Sequence, residues 1–137
     1  MEFEYRQYST DDFLSLAALS DDEWQINHRN IAMSMLNANT KIELCFVATN
    51  AGKIIGYIYG FALPNGTLIP EFLYVLPEYR NMGVGKQLLS ILEMHSGCCT
   101  SMIFYHKTLH NYYEKLGYST GSNLEAAIKE IPSTKEH

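Results

Sequence analysis

The chain has 137 residues, 47% hydrophobic and 18% charged, the composition of one folded domain and not of a disordered segment. Ten basic against fifteen acidic residues leave a net charge of −5, which argues against a nucleic-acid binder and is compatible with a cationic substrate. No apolar run reaches the roughly 20 residues that span a bilayer.

Residues 1–9 have neither the basic start nor the apolar stretch of a secretion signal. Cys45, Cys98 and Cys99 are an odd number and lack metal-site spacing. Reduced thiols in a cytoplasmic protein are the expectation.

Residues 2–8 alternate and read as a first strand. Residues 9–12, Ser-Thr-Asp-Asp, look like a helix start, with Phe13, Leu16 and Ala17 following at helical spacing. Ser20-x-x-Glu23 has the form of a capping box for a second helix, with Trp24, Ile31 and Met35 on one face and His28 between them. Residues 42–49 and 53–63 form a hairpin pattern around the turn Asn50-Ala51-Gly52. Pro64-Asn65-Gly66 is a strong turn signal.

Residues 68–76 are the next strand, with Glu71 in its middle, and Pro77 ends it because proline gives no N–H to a ladder. Val84, Leu88, Leu89 and Leu92 then mark a helix running to about His95, closed by Ser96-Gly97. Residues 100–105 are strand-like, 108–116 a short helix with Gly117 past its end, and 124–131 a last strand; a short extra strand is a second reading of 118–120. Residues 132–137 are a loose polar tail. The order is β-α-α-β-β-β-α-β-α-β, without repeat or linker, and predicts one domain over 1–137.

The stretch Arg80-Asn81-Met82-Gly83-Val84-Gly85-Lys86 lies between that strand and helix. Gly83 and Gly85 permit positive φ and a close approach of backbone to ligand. The helix that follows opens with N–H groups lacking intrahelical partners, a place for a phosphate. Arg80 and Lys86 add positive charge. Spacing excludes two familiar nucleotide loops: Arg80 and Gln87 stand where a Walker A loop needs Gly and Ser/Thr, and Leu88 stands where the dinucleotide fingerprint needs its third Gly.

Arg-x-x-Gly-x-Gly after Val-Leu-Pro-Glu-Tyr resembles the acetyl-CoA loop of the GNAT N-acetyltransferases. Tyr112-Tyr113-Glu114-Lys115-Leu116-Gly117-Tyr118 is similar to a second signature of that family, at a suitable distance. The resemblance implies an α/β fold with about four helices. Its mixed sheet is mostly antiparallel, with a splayed parallel pair at the cofactor site. It implies acetyl-CoA as co-substrate and direct attack of a bound primary amine in a ternary complex, with a small molecule as the expected acceptor. It also implies backbone contacts from Leu73, Tyr74 and Val75, and a pyrophosphate held by Arg80, Asn81, Met82, Gly83, Val84, Gly85 and Lys86. Homodimers are frequent in the family.

Moving an acetyl group from a thioester to an amine needs a proton acceptor for the amine and stabilisation of the carbonyl oxygen and the thiolate. Glu71 alternates with Ile69, Leu73 and Val75, so a partly desolvated carboxylate acting as base, directly or through water, is expected. The same residue also suits binding of a cationic substrate, or a structural pairing. By the resemblance, Tyr113 faces the CoA sulfur as acid, although Leu109, Tyr112, Tyr113 and Leu116 also make a core stripe.

His106 stands where family members often have an Asn that touches the cofactor, and a His there can still donate a hydrogen bond. His106 and His110 are four apart but lack the companions of a zinc site. The resemblance implies that the first two helices and their connection, with Trp24, His28 and the Asp21-Asp22-Glu23 cluster, wall the acceptor site, where the acidic residues would attract an amine and Trp24 would cover a cation; the other reading is a capped, solvated helix start with a core tryptophan. A non-catalytic acyl-CoA-binding regulatory module is the alternative to an enzyme. An interaction protein that has lost the cofactor is a further one.

Overall fold

A computed structural model of the chain describes residues 2–120, 123 and 125–132. It divides into two compact units, Met1–Phe104 and Tyr105–His137.

The first unit is built on one five-stranded sheet in the order β1-β2-β3-β4-β5. The strands are β1 (Glu4–Gln7), β2 (Glu43–Asn50), β3 (Lys53–Ala62), β4 (Thr67–Val75) and β5 (Thr100–Ser101). Neighbours pair antiparallel except β4 and β5, which are parallel. The helices are α1 (Phe13–Ala17), α2 (Gln25–Met35) and α3 (Val84–Ser96).

Alternation along β2 and β3 sends side chains to two faces, and both are covered. Cys45, Val47, Tyr57 and Tyr59 join Leu16, Ile31 and Ala32 of α1 and α2 in one buried cluster. The stripe Val84, Leu88, Leu89 and Leu92 of α3 is buried, with α3 packed on β2, β3 and β4. Before α1, Arg6 grips the Asp12 carboxylate with two bonds of 2.7 and 2.8 Å, while the Ser9 N–H donates to Asp12 Oδ2 at 2.9 Å.

Beyond β4 the observed elements depart from the sequence pattern. β5 is two residues long, not the six expected over 100–105. Pairing stops at Thr67↔Thr100 and Leu68↔Ser101, with one more bond from Met102 N–H to the Leu68 carbonyl at 2.8 Å. Leu68 therefore turns its polar groups toward β5, and Pro70, two residues on, faces the same edge. Proline has no N–H to offer there, so the parallel ladder ends.

The second unit contains a short 3-10 turn, Lys107–Leu109, and α4 (His110–Lys115). This splits the helix expected over 108–116. Residues 118–120 and 125–132 carry no strand. The last strand is thus not found over its described residues, and its many exposed apolar groups, Ile128 and Ile131 among them, gain no burial. Leu124 and residues 133–137 of the expected tail lie outside the described residues. Among the described residues no helix is long and apolar enough to cross a membrane.

Candidate active site

The open edge of β4 is the first component. Leu76 N–H bonds the Ile55 carbonyl at 2.8 Å, so ladder alternation points Tyr74 at its partner Tyr57 and turns Leu73 and Val75 to the opposite edge. Arg80 Nε donates to the Val75 carbonyl at 2.8 Å, which places that oxygen outside the β3 ladder. Among the described residues no strand pairs with the edge along Leu73 and Val75, where β5 no longer runs, and such an edge can pair with an extended chain of amide groups.

The loop is the second component. A 3-10 turn at Pro77–Tyr79 leads from β4 to Arg80. Asn81 and Gly83 both have positive φ, 64° and 83°. Gly83 is the residue before α3, and a Cβ built on it meets nothing within 4 Å. Its carbonyl accepts the first intrahelical bond, from Gln87 N–H at 3.0 Å. The N–H groups of Val84, Gly85 and Lys86 therefore have no partner within the helix. Arg80, Asn81, Met82 and Lys86 are exposed around them. Open space, uncommitted N–H donors and two cations together fit a pyrophosphate.

Glu71 is where the sequence reading needs correction. Tyr59 pairs with Phe72 and Gly60 with Pro70, so Glu71 is the extra residue of a β-bulge. The alternation with Leu73 and Val75 breaks there, and the side chain is exposed, so the expected partial desolvation is not found. Its charge reaches Tyr59, whose hydroxyl donates to Glu43 Oε1 at 2.8 Å. Burial chiefly, then Glu43 and Glu71, raise the Tyr59 phenol far above its ordinary range.

The turn between α1 and α2 also differs from its pattern. Ser20 makes no capping box with Glu23; its O–H donates to Asp22 Oδ1 at 2.8 Å, and α2 begins only at Gln25. Trp24 is 40% exposed and is no core residue, its ring meeting Phe72 at 5.8 Å. His28, by contrast, is wholly buried between Ser20 and Tyr57. The spacing of Trp24, His28, Ile31 and Met35 puts His28 on the apolar face of its helix. Its partners come from the preceding turn and from β3, which no local pattern reveals.

In the second unit Tyr113 is buried, stacked on Tyr105 at 4.7 Å and met edge-on by Tyr112 and Tyr118. Burial, with the neighbouring phenols, pushes its pKa up to about 12. His106 Nδ1 accepts from Thr108 N–H at 3.3 Å and starts the 3-10 turn. His110 lies 3.2 Å from Tyr105 Oη and 3.5 Å from Glu114. Both histidines are thus engaged locally.

A mixed sheet with one strand edge left unpaired beside a helix that follows Gly83 can seat a ligand with amide groups along its length and a phosphate at one end. The model of the GNAT acetyltransferase domain matches residues 41–120, and the chain belongs to that family. The fold is similar to that of the aminoglycoside N-acetyltransferase AAC(6')-Iy, solved with a bisubstrate analogue, CoA-S-monomethyl-acetylneamine. That match has 19% identity and a TM-score of 0.73, covering 96% of this chain and 100% of the other. It is also similar to a ribosomal-protein-alanine N-acetyltransferase from Brucella melitensis biovar Abortus 2308, with 14% identity, a TM-score of 0.73, and 95% and 100% covered. A third likeness is to glucosamine-6-phosphate N-acetyltransferase from Arabidopsis thaliana, with 19% identity, a TM-score of 0.64, and 95% and 100% covered.

Proposed function

We propose that the whole chain works as a cytoplasmic acetyl-CoA-dependent N-acetyltransferase that modifies a primary amine of a small molecule. The observation that carries this reading is the open β4 edge at Leu73 and Val75, continuous with the Arg80–Lys86 loop. The edge suits the amide groups of a pantetheine arm, and the loop suits the pyrophosphate. Of the solved structures with this fold, the aminoglycoside N-acetyltransferase holds CoA or a CoA bisubstrate analogue, and another is a glucosamine-6-phosphate N-acetyltransferase.

The reaction is direct attack in a ternary complex. The amine nitrogen forms a bond to the acetyl carbon, the carbon–sulfur bond breaks, and CoA leaves as thiolate. The Val75 N–H donates to the carbonyl oxygen as negative charge develops. Glu71 accepts the amine proton through water. Its carboxylate holds the ammonium form near the edge and receives, through water, the proton that must leave before the nitrogen can attack. Tyr113 donates a hydrogen bond to the thiolate. Full proton transfer from a phenol at about 12 to a thiolate whose acid is near ~8.5 runs uphill, so the bond stabilises the charge and solvent completes the protonation.

The test is release of CoA thiol from acetyl-CoA over a panel of polyamines, aminoglycosides, amino acids and short peptides. Glu71→Gln and Tyr113→Phe are run in parallel. Amine-dependent release is expected, with turnover lowered at least tenfold by either substitution and acetyl-CoA affinity unchanged. Binding of acetyl-CoA without release over the whole panel would replace this reading with a non-catalytic acyl-CoA-binding module.

A further inference from the structure

Five polar side chains close a ring of contacts under β4. His28 of α2 has no exposed surface; its Nδ1 is 2.9 Å from Tyr57 Oη and its Nε2 is 2.8 Å from Ser20 Oγ. The Ser20 O–H donates to Asp22 Oδ1 at 2.8 Å, and the Tyr74 O–H donates to Asp22 Oδ2 at 2.8 Å. The Trp24 N–H donates to Oδ1 at 2.9 Å. Tyr57 and Tyr74 are cross-strand partners, which completes the circuit. The imidazole lies 5.6 and 4.5 Å from their rings.

The proton positions follow from the Asp22 end. An exposed carboxylate held by three donors stays ionised and only accepts. The Ser20 proton is committed to it, so Ser20 Oγ accepts from His28 Nε2–H. Nδ1 then keeps a lone pair and accepts the Tyr57 O–H. The imidazole is neutral and a single tautomer, and the donors run in one direction toward Asp22.

None of these side chains enters the transfer chemistry described above. Their location gives them another use. Tyr74 lies between Leu73 and Val75, whose polar groups face the open edge. Its ring carries the Arg80 guanidinium at 5.4 Å. The turn that holds its hydroxyl also carries Trp24, whose ring meets Phe72 beside the bulged Glu71. We propose that His28 is a positioning residue for acetyl transfer: through Ser20 and Asp22 it holds Tyr74, and with it the Leu73–Val75 edge, in register with the turn carrying Trp24. The proposal rests on the transferase reading.

The test cuts the circuit at its smallest link. Ser20→Ala should lower kcat about tenfold while acetyl-CoA Kd stays within twofold, and Ser20→Thr should restore kcat by returning the hydroxyl. Asp22→Asn should give a similar loss, and Ser20→Ala with Asp22→Asn should be no worse than Asp22→Asn alone, because the two act in series. Nitrogen-15 NMR of the unsubstituted protein should show His28 neutral and protonated at Nε2 at pH 7.

A protonated Nδ1, an unchanged kcat in Ser20→Ala, or losses that multiply in the double variant would each overturn the positioning role. An unsubstituted protein that transfers nothing to any amine would overturn the transferase reading, and the role with it. The NMR arm still reports the circuit in that case, so the two failures are told apart.

Discussion

Gly83 is where a backbone need and the proposed phosphate contact fall on one residue. Its φ of 83° lies in the left-handed region, and the space where a Cβ would stand is open. Gly83→Ala therefore meets no clash and suffers only the conformational cost, roughly 1 kcal/mol, readable as a small shift of the denaturation midpoint. Gly83→Asp adds a carboxylate where a pyrophosphate would approach. It should weaken acetyl-CoA at least tenfold in calorimetry, whereas Gly83→Ala stays within threefold. Equal affinity in the Asp variant would remove the loop from the binding site. This residue was legible in the sequence, because glycine spacing before a helix reports a backbone need directly. Asp22 and His28 were visible only as candidates, since their bonds join Ser20, Tyr57 and Tyr74 across the fold.

At the scale of elements, β4 owes its shape to a glycine on its neighbour. A Cβ added to Gly60 of β3 would stand 2.8 Å from the Ile69 carbonyl oxygen and 3.1 Å from Leu92 Cδ2. Gly60 is opposite Pro70, next to the bulge that displaces Glu71. Gly60→Ala should push β4 away from β3 and destabilise the fold by about 2 kcal/mol. Chemical denaturation checks this, and an unchanged midpoint would show that β4 gives way at no cost.

The strands β2, β3 and β4 and the helix α3 match their sequence patterns to within one or two residues, because each covers two apolar faces or one long apolar stripe. The bulge breaks the period-two count that Ile69, Glu71, Leu73 and Val75 follow in the sequence; Pro70 in mid-strand is its sign. The six-residue strand expected from 100 fails for a tertiary reason, its partner's missing N–H.

The whole molecule should record the buried histidine in its acid stability. Burial lowers the His28 pKa below the ordinary 6.5, with the Asp22 charge opposing; Tyr57 and Tyr74 are the other titratable groups against it. Above pH 6.5 both folded and unfolded chains leave the ring neutral. Below it the unfolded chain binds a proton that the folded chain refuses, so stability falls until the lowered folded value is passed. Asp12, held below its ordinary 3.8 first by Arg6, adds a second loss at lower pH. Melting temperatures from pH 8 to 5 should drop below about 6.5 in the unsubstituted protein and drop less in His28→Gln. Parallel curves would place the acid sensitivity on another group.

The open edge of β4 carries a hazard as well as a use. Any strand edge with free amides invites a second polypeptide to add to the sheet, the first step of aggregation. Here the invitation is narrow. Pro70 removes one donor, the bulge at Glu71 breaks the spacing that a β-strand would need, and Arg80 occupies the Val75 carbonyl. What remains is long enough for a short arm with a few amides and too broken for a long peptide, so the same irregularities that shape the proposed carrier site keep the chain from becoming a template for its own kind.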